Sequence, residues 1–423
     1  MNDIIMPSGF DLTKNLHGHV RVETRSRWTG KVIDSQEKDN LVTNAIQKLV
    51  YANAWVTVGL SSWFAPIYEK ALGSLVLFGD TLTENANNIF FPNKPPIAIA
   101  PYAANADADG GSLNTSESGF TSDGYTNVWD FTTSQANGTI AALARSFHLL
   151  RNGFLISTAA NMDLGIAGRT FAAMYFLGYD ETNKYLFVAP FVSATINGVS
   201  FDTKGIYKVK KDLEKIDLEN SSLVFQRASL IKTLSSSDGT TTARYFMYDR
   251  WKNEFVYMTG STLHKIAMDG THTSSTISGT GSYANFSITE NYYWRSGGSS
   301  STKVYRISKT NLADVVEYTV ADSGVYPMSV YGNDVAAAGA GGNFGTHSIL
   351  YPDGTIVRKT GQTQASVSNG GMPEVGMYFG GSYSNTNQMM RRANYLGTIA
   401  NLDSPVTKTS SQTMKITYTL TEA

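Results

Sequence analysis

Five carboxylates in the middle of the chain, Asp180, Glu181, Asp249, Glu254 and Glu374, have the chemistry to cleave a glycan. Glycoside hydrolysis takes two such groups on either side of the scissile bond. Their setting argues for something simpler. Tyr179-Asp180 precedes Asn183 and the run YLFVA; Tyr248-Asp249 precedes Asn253 and the run EFVYM. Both read as strand, polar turn, strand, where Asp is ordinary turn chemistry. A serine nucleophile would want a Gly-x-Ser-x-Gly elbow, which Gly279-Thr280-Gly281-Ser282 does not supply. Gly297-Gly298 and Gly339–Gly342 are glycine-rich, but no Lys-Ser/Thr follows to make a phosphate loop. No enzymatic activity is expected.

Metal ligation has two candidates. Asn105, Asp107, Asp109 and Gly110 start like a calcium loop, but position twelve is Ser116 and Glu117 comes one place late. They read as a polar turn. His17 and His19 are two apart on an expected strand and therefore share a face. They could ligate a metal together with copies of themselves; the plain alternative is an exposed pair on an edge strand. No cofactor is expected.

Binding has a richer set. A pyranose offers an apolar face and hydroxyl edges, so its site combines aromatic rings with short polar groups. Trp251, Tyr283, Tyr292, Tyr293, Trp294, Tyr326 and Tyr383, with Asn343, Asn385 and Asn387, supply that mixture. Taken singly, each ring would more readily pack between strands, so the expectation concerns the set.

The elements that would carry these residues are mostly strands. Residues 16–34 read as a hairpin, with Leu16, Val20 and Val22 alternating against polar residues and Thr29-Gly30 at the turn. Leu41, Val42, Ala45, Ile46, Leu49 and Val50 recur at helical spacing, with Asp39 or Asn40 as the cap. Residues 73–78 are a short apolar strand, and 84–119 an extended polar loop of the kind that contacts partners. Val128, Trp129, Phe131 and 139–144 return to strand chemistry. At the far end Met414, Ile416, Tyr418 and Leu420 alternate with polar residues, which predicts a strand with one apolar face.

From about residue 172 a unit repeats. Short strands followed by Asp/Asn/Gly turns begin at 206 (IYKVKKD), 263 (LHKIAMDGT), 304 (VYRISKTN) and 347 (HSILYPDGT). Their spacing fits propeller blades of about 40–45 residues, the first with an insertion. The fold class expected is all-β: a β-propeller of about five blades, inserted in or following a β-sandwich-like domain with one helix. The boundaries expected are 1–168 for the N-terminal domain, 169–392 for the propeller and 393–423 for strands returning to the first domain. A long β-sandwich with fortuitous hairpins is the alternative.

Charged residues make up only 16% of the 423, the net charge is −1 and cysteine is absent. The balance excludes a general attraction to nucleic acid or anionic membrane, and the lack of cysteine excludes disulfides and thiolate metal sites. No apolar run reaches the length of a membrane span, and residues 1–15 do not read as a signal peptide.

Four pieces carry a resemblance: EKDNLVTNAI (37–46), LGSLVLFGDTLTENANNIFFP (72–92), VWDFTTSQANGTIAALA (128–144) and YLGTIANLDSPVTKTSSQTMKITYTLTE (395–422). Together they resemble a family of phage and prophage tail proteins of low-GC Gram-positive bacteria, of the tail-fibre or baseplate, receptor-binding type. The resemblance implies a virion component, assembled in the host cytoplasm and released by lysis. Its implied partners are other tail or baseplate proteins and a host cell-surface glycan, with neither nucleic acid nor membrane insertion. Some phage fibres resemble the His17/His19 arrangement, with His-x-His strands meeting on a three-fold axis around one metal. The low charge, the absence of cysteine and the long loop at 84–119 favour a homo-oligomer, with a trimer as the leading guess. A purely architectural tail or head protein and a glycan-degrading tail enzyme are the alternatives. Sialidase-type propellers carry Ser-x-Asp-x-Gly-x-Thr-Trp; the nearest stretch, Ser236-Ser237-Asp238-Gly239-Thr240, lacks the spacer and the Trp.

Overall fold

The structure is a computed structural model. It describes residues 4–5, 16–46, 72–100, 110–146, 157–159, 174–180, 182–183, 185–190, 193–196, 199–210, 215–216, 228–280, 286–298, 301–321, 325–328, 334–340, 346–360, 376–381, 387–392 and 395–422. Glu181, Glu374, Tyr283, Tyr383, Asn343, Asn385, Asn105, Asp107 and Asp109 lie outside them.

The two ends of the chain build one antiparallel sheet. Its strands are β1 (Leu16–Ser26), β2 (Val32–Val42), β3 (Ser74–Phe78), β4 (Ala98–Ala100), β5 (Ser112–Leu113), β6 (Gly119–Phe120), β7 (Gly124–Phe131), β8 (Gly138–Ser146), β9 (Thr398–Lys408) and β10 (Gln412–Glu422). The order is β4-β3-β8-β9-β2-β1-β10-β7-β5, with β6 also on β7. Strict alternation drives the central pairing: Leu16, Val20 and Val22 are buried while His17, His19 and Arg21 are exposed. β10 runs antiparallel to β1 from Leu16↔Glu422 to Ser26↔Gln412, and on its other side to β7 from Met414↔Phe131 to Thr421↔Gly124.

The sheet folds over itself around an arginine. Arg145 on β8 is fully buried, with its guanidinium 4.7 Å above the Trp129 ring of β7 and 5.0 Å above the Tyr418 ring of β10. The same group donates to Asn127 Oδ1 at 2.8 Å and to the Leu72 carbonyl. Sandwiched between rings and hydrogen-bonded, the cation is stabilised although its side chain is buried.

The β1–β2 hairpin turns at residues 27–31, where Gly30 has φ +66 and its N–H donates to the Ser26 carbonyl at 2.9 Å. The expected helix begins later than its apolar spacing suggested. Leu41 and Val42 end β2, paired with Ile399 and Thr398, and only 44–46 are helical among the described residues. The capping oxygen is Thr43 Oγ1, which accepts from the Ala45 N–H at 3.3 Å, not Asp39 or Asn40. Period-two pairing, with β1 for residues 39–40 and with β9 for 41–42, outcompetes helical periodicity. The described residues of the 84–119 segment form loops and turns, as its composition suggested, but include the short strands β4 and β5 and the start of β6.

The middle of the chain is a β-propeller. Blade 1 comprises Met174–Asp180, Tyr185–Pro190, Gly205–Lys210 and Ala228–Thr233; blade 2 Met247–Asp249, Glu254–Thr259, Thr262–Ala267 and His272–Thr276. Blade 3 comprises Phe286–Ile288, Tyr292–Ser296, Lys303–Ser308 and Val315–Thr319; blade 4 Val325–Met328, Ala336–Ala340, Thr346–Leu350 and Ile356–Thr360. Each is an antiparallel meander in chain order. The repeated pieces at 206, 263, 304 and 347 fall on the third strand of each. The fifth sheet joins Gly376–Gly381 and Asn387–Arg392 to Ser157–Ala159, a strand from before blade 1. This closes the ring with chain from both sides, and the first strand of blade 1 packs beside those of blades 2 and 5. The propeller thus recruits a strand from the segment expected to belong wholly to the N-terminal domain.

Candidate functional site

Antiparallel meanders put all first-to-second and third-to-fourth turns at one end of the ring. Second-to-third loops and blade-to-blade connections lie at the other. The first end meets the loop between β3 and β4. Asp334 donates its backbone N–H to Asn93 Oδ1 at 3.0 Å, and the Arg250 guanidinium lies 5.6 Å from the Phe90 ring.

At this end the turn carboxylates behave as turn residues. Asp180 accepts from the Asn183 backbone at 3.0 Å and its side-chain amide at 2.7 Å. Asp249 accepts from the N–H groups of Trp251 (3.1 Å) and Lys252 (3.3 Å). Asp249 also does something the sequence did not reveal. Its other oxygen accepts from Lys309 Nζ of blade 3 at 2.5 Å, with both side chains buried. Burial pushes the Asp249 carboxyl up and the Lys309 ammonium down, each opposed by the other's charge. Lys309 further lies 5.0 Å from the Trp251 ring and 5.2 Å from Tyr293. Glu254 is tied to Lys265 at 2.7 Å.

The predicted aromatics divide. Tyr293 and Trp294 are fully buried on opposite faces of the second strand of blade 3, Tyr293 in the main core and Trp294 against Val304, Tyr318 and Leu350. Neither presents a face to a ligand, because a strand packed between two blades buries both of its sides. Trp251 and Tyr292 are half-buried, each under a guanidinium: Arg250 at 5.3 Å and Arg306 at 4.5 Å. Tyr326 and Asn387 lie on the strands Val325–Met328 and Asn387–Arg392.

His17 and His19 do share the exposed face of β1. β1 is an interior strand between β2 and β10, so the edge-strand alternative is corrected: pairing on both sides satisfies its backbone. His19 Nδ1 lies 3.0 Å from Asp39 Oδ1. Among the described residues no three His, Asp or Glu converge as a metal site. Glu117 is held by Lys415 at 2.5 Å.

Blade 2 also carries a cluster that no local motif announced. Four rings stack across blade 2 and the segment leading into it: Tyr245 on Tyr257 (5.8 Å), Tyr257 on His264 (6.1 Å) and His264 on His272 (5.4 Å). His264 Nδ1 and His272 Nε2 are 3.1 Å apart. The outer rings Tyr245 and His272 are half-buried, the inner two buried. The Arg244 guanidinium lies 5.3 Å from the Tyr245 ring.

Beside the ladder sits the turn 235–239. Asp238 is buried, accepts from the Ser235 N–H (2.8 Å) and hydroxyl (3.0 Å), and pairs with Lys232 Nζ at 3.1 Å. Burial pushes its carboxyl up, but these donors outweigh burial and hold it below the ordinary value. His272 Nδ1 is 3.7 Å from the same carboxylate. Burial, then the neighbouring His272, pushes His264 down, against Asp238. Gly239 closes the turn at φ +84, directly over the His264 ring. The signal was hidden because Tyr245, Tyr257, His264 and His272 lie on four different segments and meet only when strands pair. The cluster offers ring faces, hydroxyls and cations, with one carboxylate whose lone pairs are already engaged. That is binding chemistry rather than a general acid–base pair.

No family model matches the chain, and no curated protein matches it. Solved structures similar to it are propellers. They include a streptogramin B lyase (10% identity, TM-score 0.31, covering 62% of this chain and 97% of that one). A catalytically inactive virginiamycin B lyase from Staphylococcus aureus with quinupristin shares 11% identity at TM-score 0.31, covering 66% and 97%. The WD40 β-propeller domain of Doa1 shares 10% at 0.28, covering 75% and 97%. At such identities and scores the likeness carries no argument about function.

Proposed function

We propose that this chain is a non-enzymatic attachment protein of a phage tail or phage-like particle. The sheet formed by its two ends docks to other tail or baseplate proteins, and the propeller binds a glycan of the host surface. The observation that carries the binding half is the ring ladder Tyr245–Tyr257–His264–His272. It is flanked by Arg244, Lys232 and the exposed Ser235–Ser237 turn. A half-exposed ring beside cations and hydroxyls suits a hydroxyl-rich ligand. The resemblance of residues 37–46, 72–92, 128–144 and 395–422 to tail proteins supports the docking half.

The test is binding of the full chain to purified cell-wall polysaccharide, with released reducing sugar measured alongside. Intact binding, weakened at least about tenfold by Tyr245→Ala with Arg244→Ala, is expected from losing a stacked ring and its cation. Sugar release would point to a hydrolase. Neither binding nor release would leave an architectural protein.

A further inference from the structure

β2 has one partnered edge and one open edge. β1 pairs with it from Val32 to Asn40. On the other side β9 pairs only with Leu41 and Val42, and among the described residues no strand pairs with that edge from Val32 to Asn40. Ser35, Glu37 and Asp39 are exposed, and Asp34, Gln36 and Lys38, on the face where β1 buries Thr24, Val22 and Val20, are half-buried. An open edge presents unpaired N–H and C=O groups that template another strand.

We propose that this edge pairs antiparallel with the same edge of a second copy of the chain, about a two-fold axis through Gln36. The register follows from charge. A two-fold axis in an antiparallel pair places one residue opposite itself and its neighbours opposite each other. Centred on Glu37, the pairing sets Glu37 against Glu37; centred on Lys38, it sets Lys38 against Lys38. Like charges directly opposite are destabilising. Centred on Ser35, it forms no opposite-charge pair. Centred on Gln36, it sets Gln36 against Gln36, Ser35 against Glu37, and Asp34 against Lys38 twice. That register makes two salt bridges and no like-charge contact. Lys38 already reaches Asp403 on β9 at 2.7 Å, which holds its ammonium beside the open edge. The extra residue Ile33, where the β1–β2 register shifts, ends the regular edge on one side, and β9 ends it on the other.

The proposal does not depend on glycan binding. Its test reads self-association, and either reading can fail without the other. Sedimentation velocity on the full chain is expected to give a reversible dimer with a dissociation constant on the order of 10 to 100 micromolar, as suits a short edge contact. Lys38→Glu turns both salt bridges repulsive and raises that constant at least about tenfold. Asp403→Asn frees Lys38 from its own chain and leaves the dimer as tight or tighter. The chain has no cysteine, so Gln36→Cys is expected to cross-link the dimer on mild oxidation. Asp39→Cys is not, since its copies would sit roughly 20 Å apart along the strands. A chain monomeric at about 100 micromolar means that the charges merely guard the edge, and overturns the proposal. So does an oligomer indifferent to Lys38→Glu, or one whose Cys at 36 does not cross-link.

Discussion

The Lys309 ammonium lies 2.5 Å from the Asp249 carboxylate, both out of water, and this contact joins blade 3 to blade 2. The Lys309 backbone N–H donates to the Asn291 carbonyl, and Asn291 in turn donates to both oxygens of Asp334 in blade 4. One polar chain therefore runs across three blades at the end of the propeller that meets the Asn93 loop.

Removing one partner of such a pair leaves a buried charge without compensation. Asp249→Asn keeps an acceptor for the Trp251 and Lys252 N–H groups, so it isolates the ion pair from the turn. A loss of about 3–5 kcal/mol is expected for Asp249→Asn and for Lys309→Met, and much less than the sum for the double variant. Urea unfolding of the four proteins measures the cycle; additive losses would mean the two groups do not act as a pair.

The pH dependence follows from His264, whose folded value lies below its ordinary 6.5. The native state then binds fewer protons than the unfolded chain. Stability from this group is complete above about pH 6.5 and declines as the pH falls below it, by at most about 1.4 kcal/mol per pH unit. Asp238 opposes the shift, while His272 beside it reinforces it. The urea midpoint of the wild type should drop between pH 7 and pH 5 more steeply than that of His264→Gln. Parallel curves would assign the decline to other groups.

Gly239 and Gly260 both have positive φ, +84 and +52, but differ in surroundings. A Cβ on Gly239 would meet His264 Nε2 at 2.4 Å, whereas one on Gly260 would meet nothing within 4 Å. Gly260→Ala should cost about 1–2 kcal/mol for the left-handed backbone alone. Gly239→Ala should cost more and displace the His264 ring, visible as a shifted imidazole resonance by NMR. Equal melting temperatures for the two variants would show that the turn moves freely off the ladder.

Arg145→Met should unfold the folded-over sheet more readily, by about 2–4 kcal/mol, since it removes two ring contacts and leaves buried acceptors at Asn127 and Leu72 unpaired. The tryptophan emission should change as well, because the cation lies over Trp129. Unchanged emission with unchanged stability would place Arg145 outside the core.

Much of the fold was legible because it rests on local pattern. The alternation of Leu16, Val20 and Val22, and of Met414, Ile416, Tyr418 and Leu420, is the signature of strands with one buried face, and both segments are such strands. The recurrence at 206, 263, 304 and 347 marks the third strand of four blades, because each blade repeats the same turn chemistry. The helix cap was misread by three or four residues, since Leu41 and Val42 fit either period and β9 decided between them.

The binding residues were legible only as a type. Composition determined that rings and short polar groups abound in the repeats, and turn spacing determined that Asp180 and Asp249 close hairpins. Which rings are sealed and which are reachable was decided by packing: adjacent residues on one strand point to opposite faces, and blade stacking buries both Tyr293 and Trp294. The pairing of Asp249 with Lys309, sixty positions on, and of Asp238 with Lys232 and the stacked rings of His264 and His272, belongs to tertiary structure alone. Strand pattern acts over two to four residues and is written in the chain; contacts between blades depend on how those strands stack, and no local spacing encodes them.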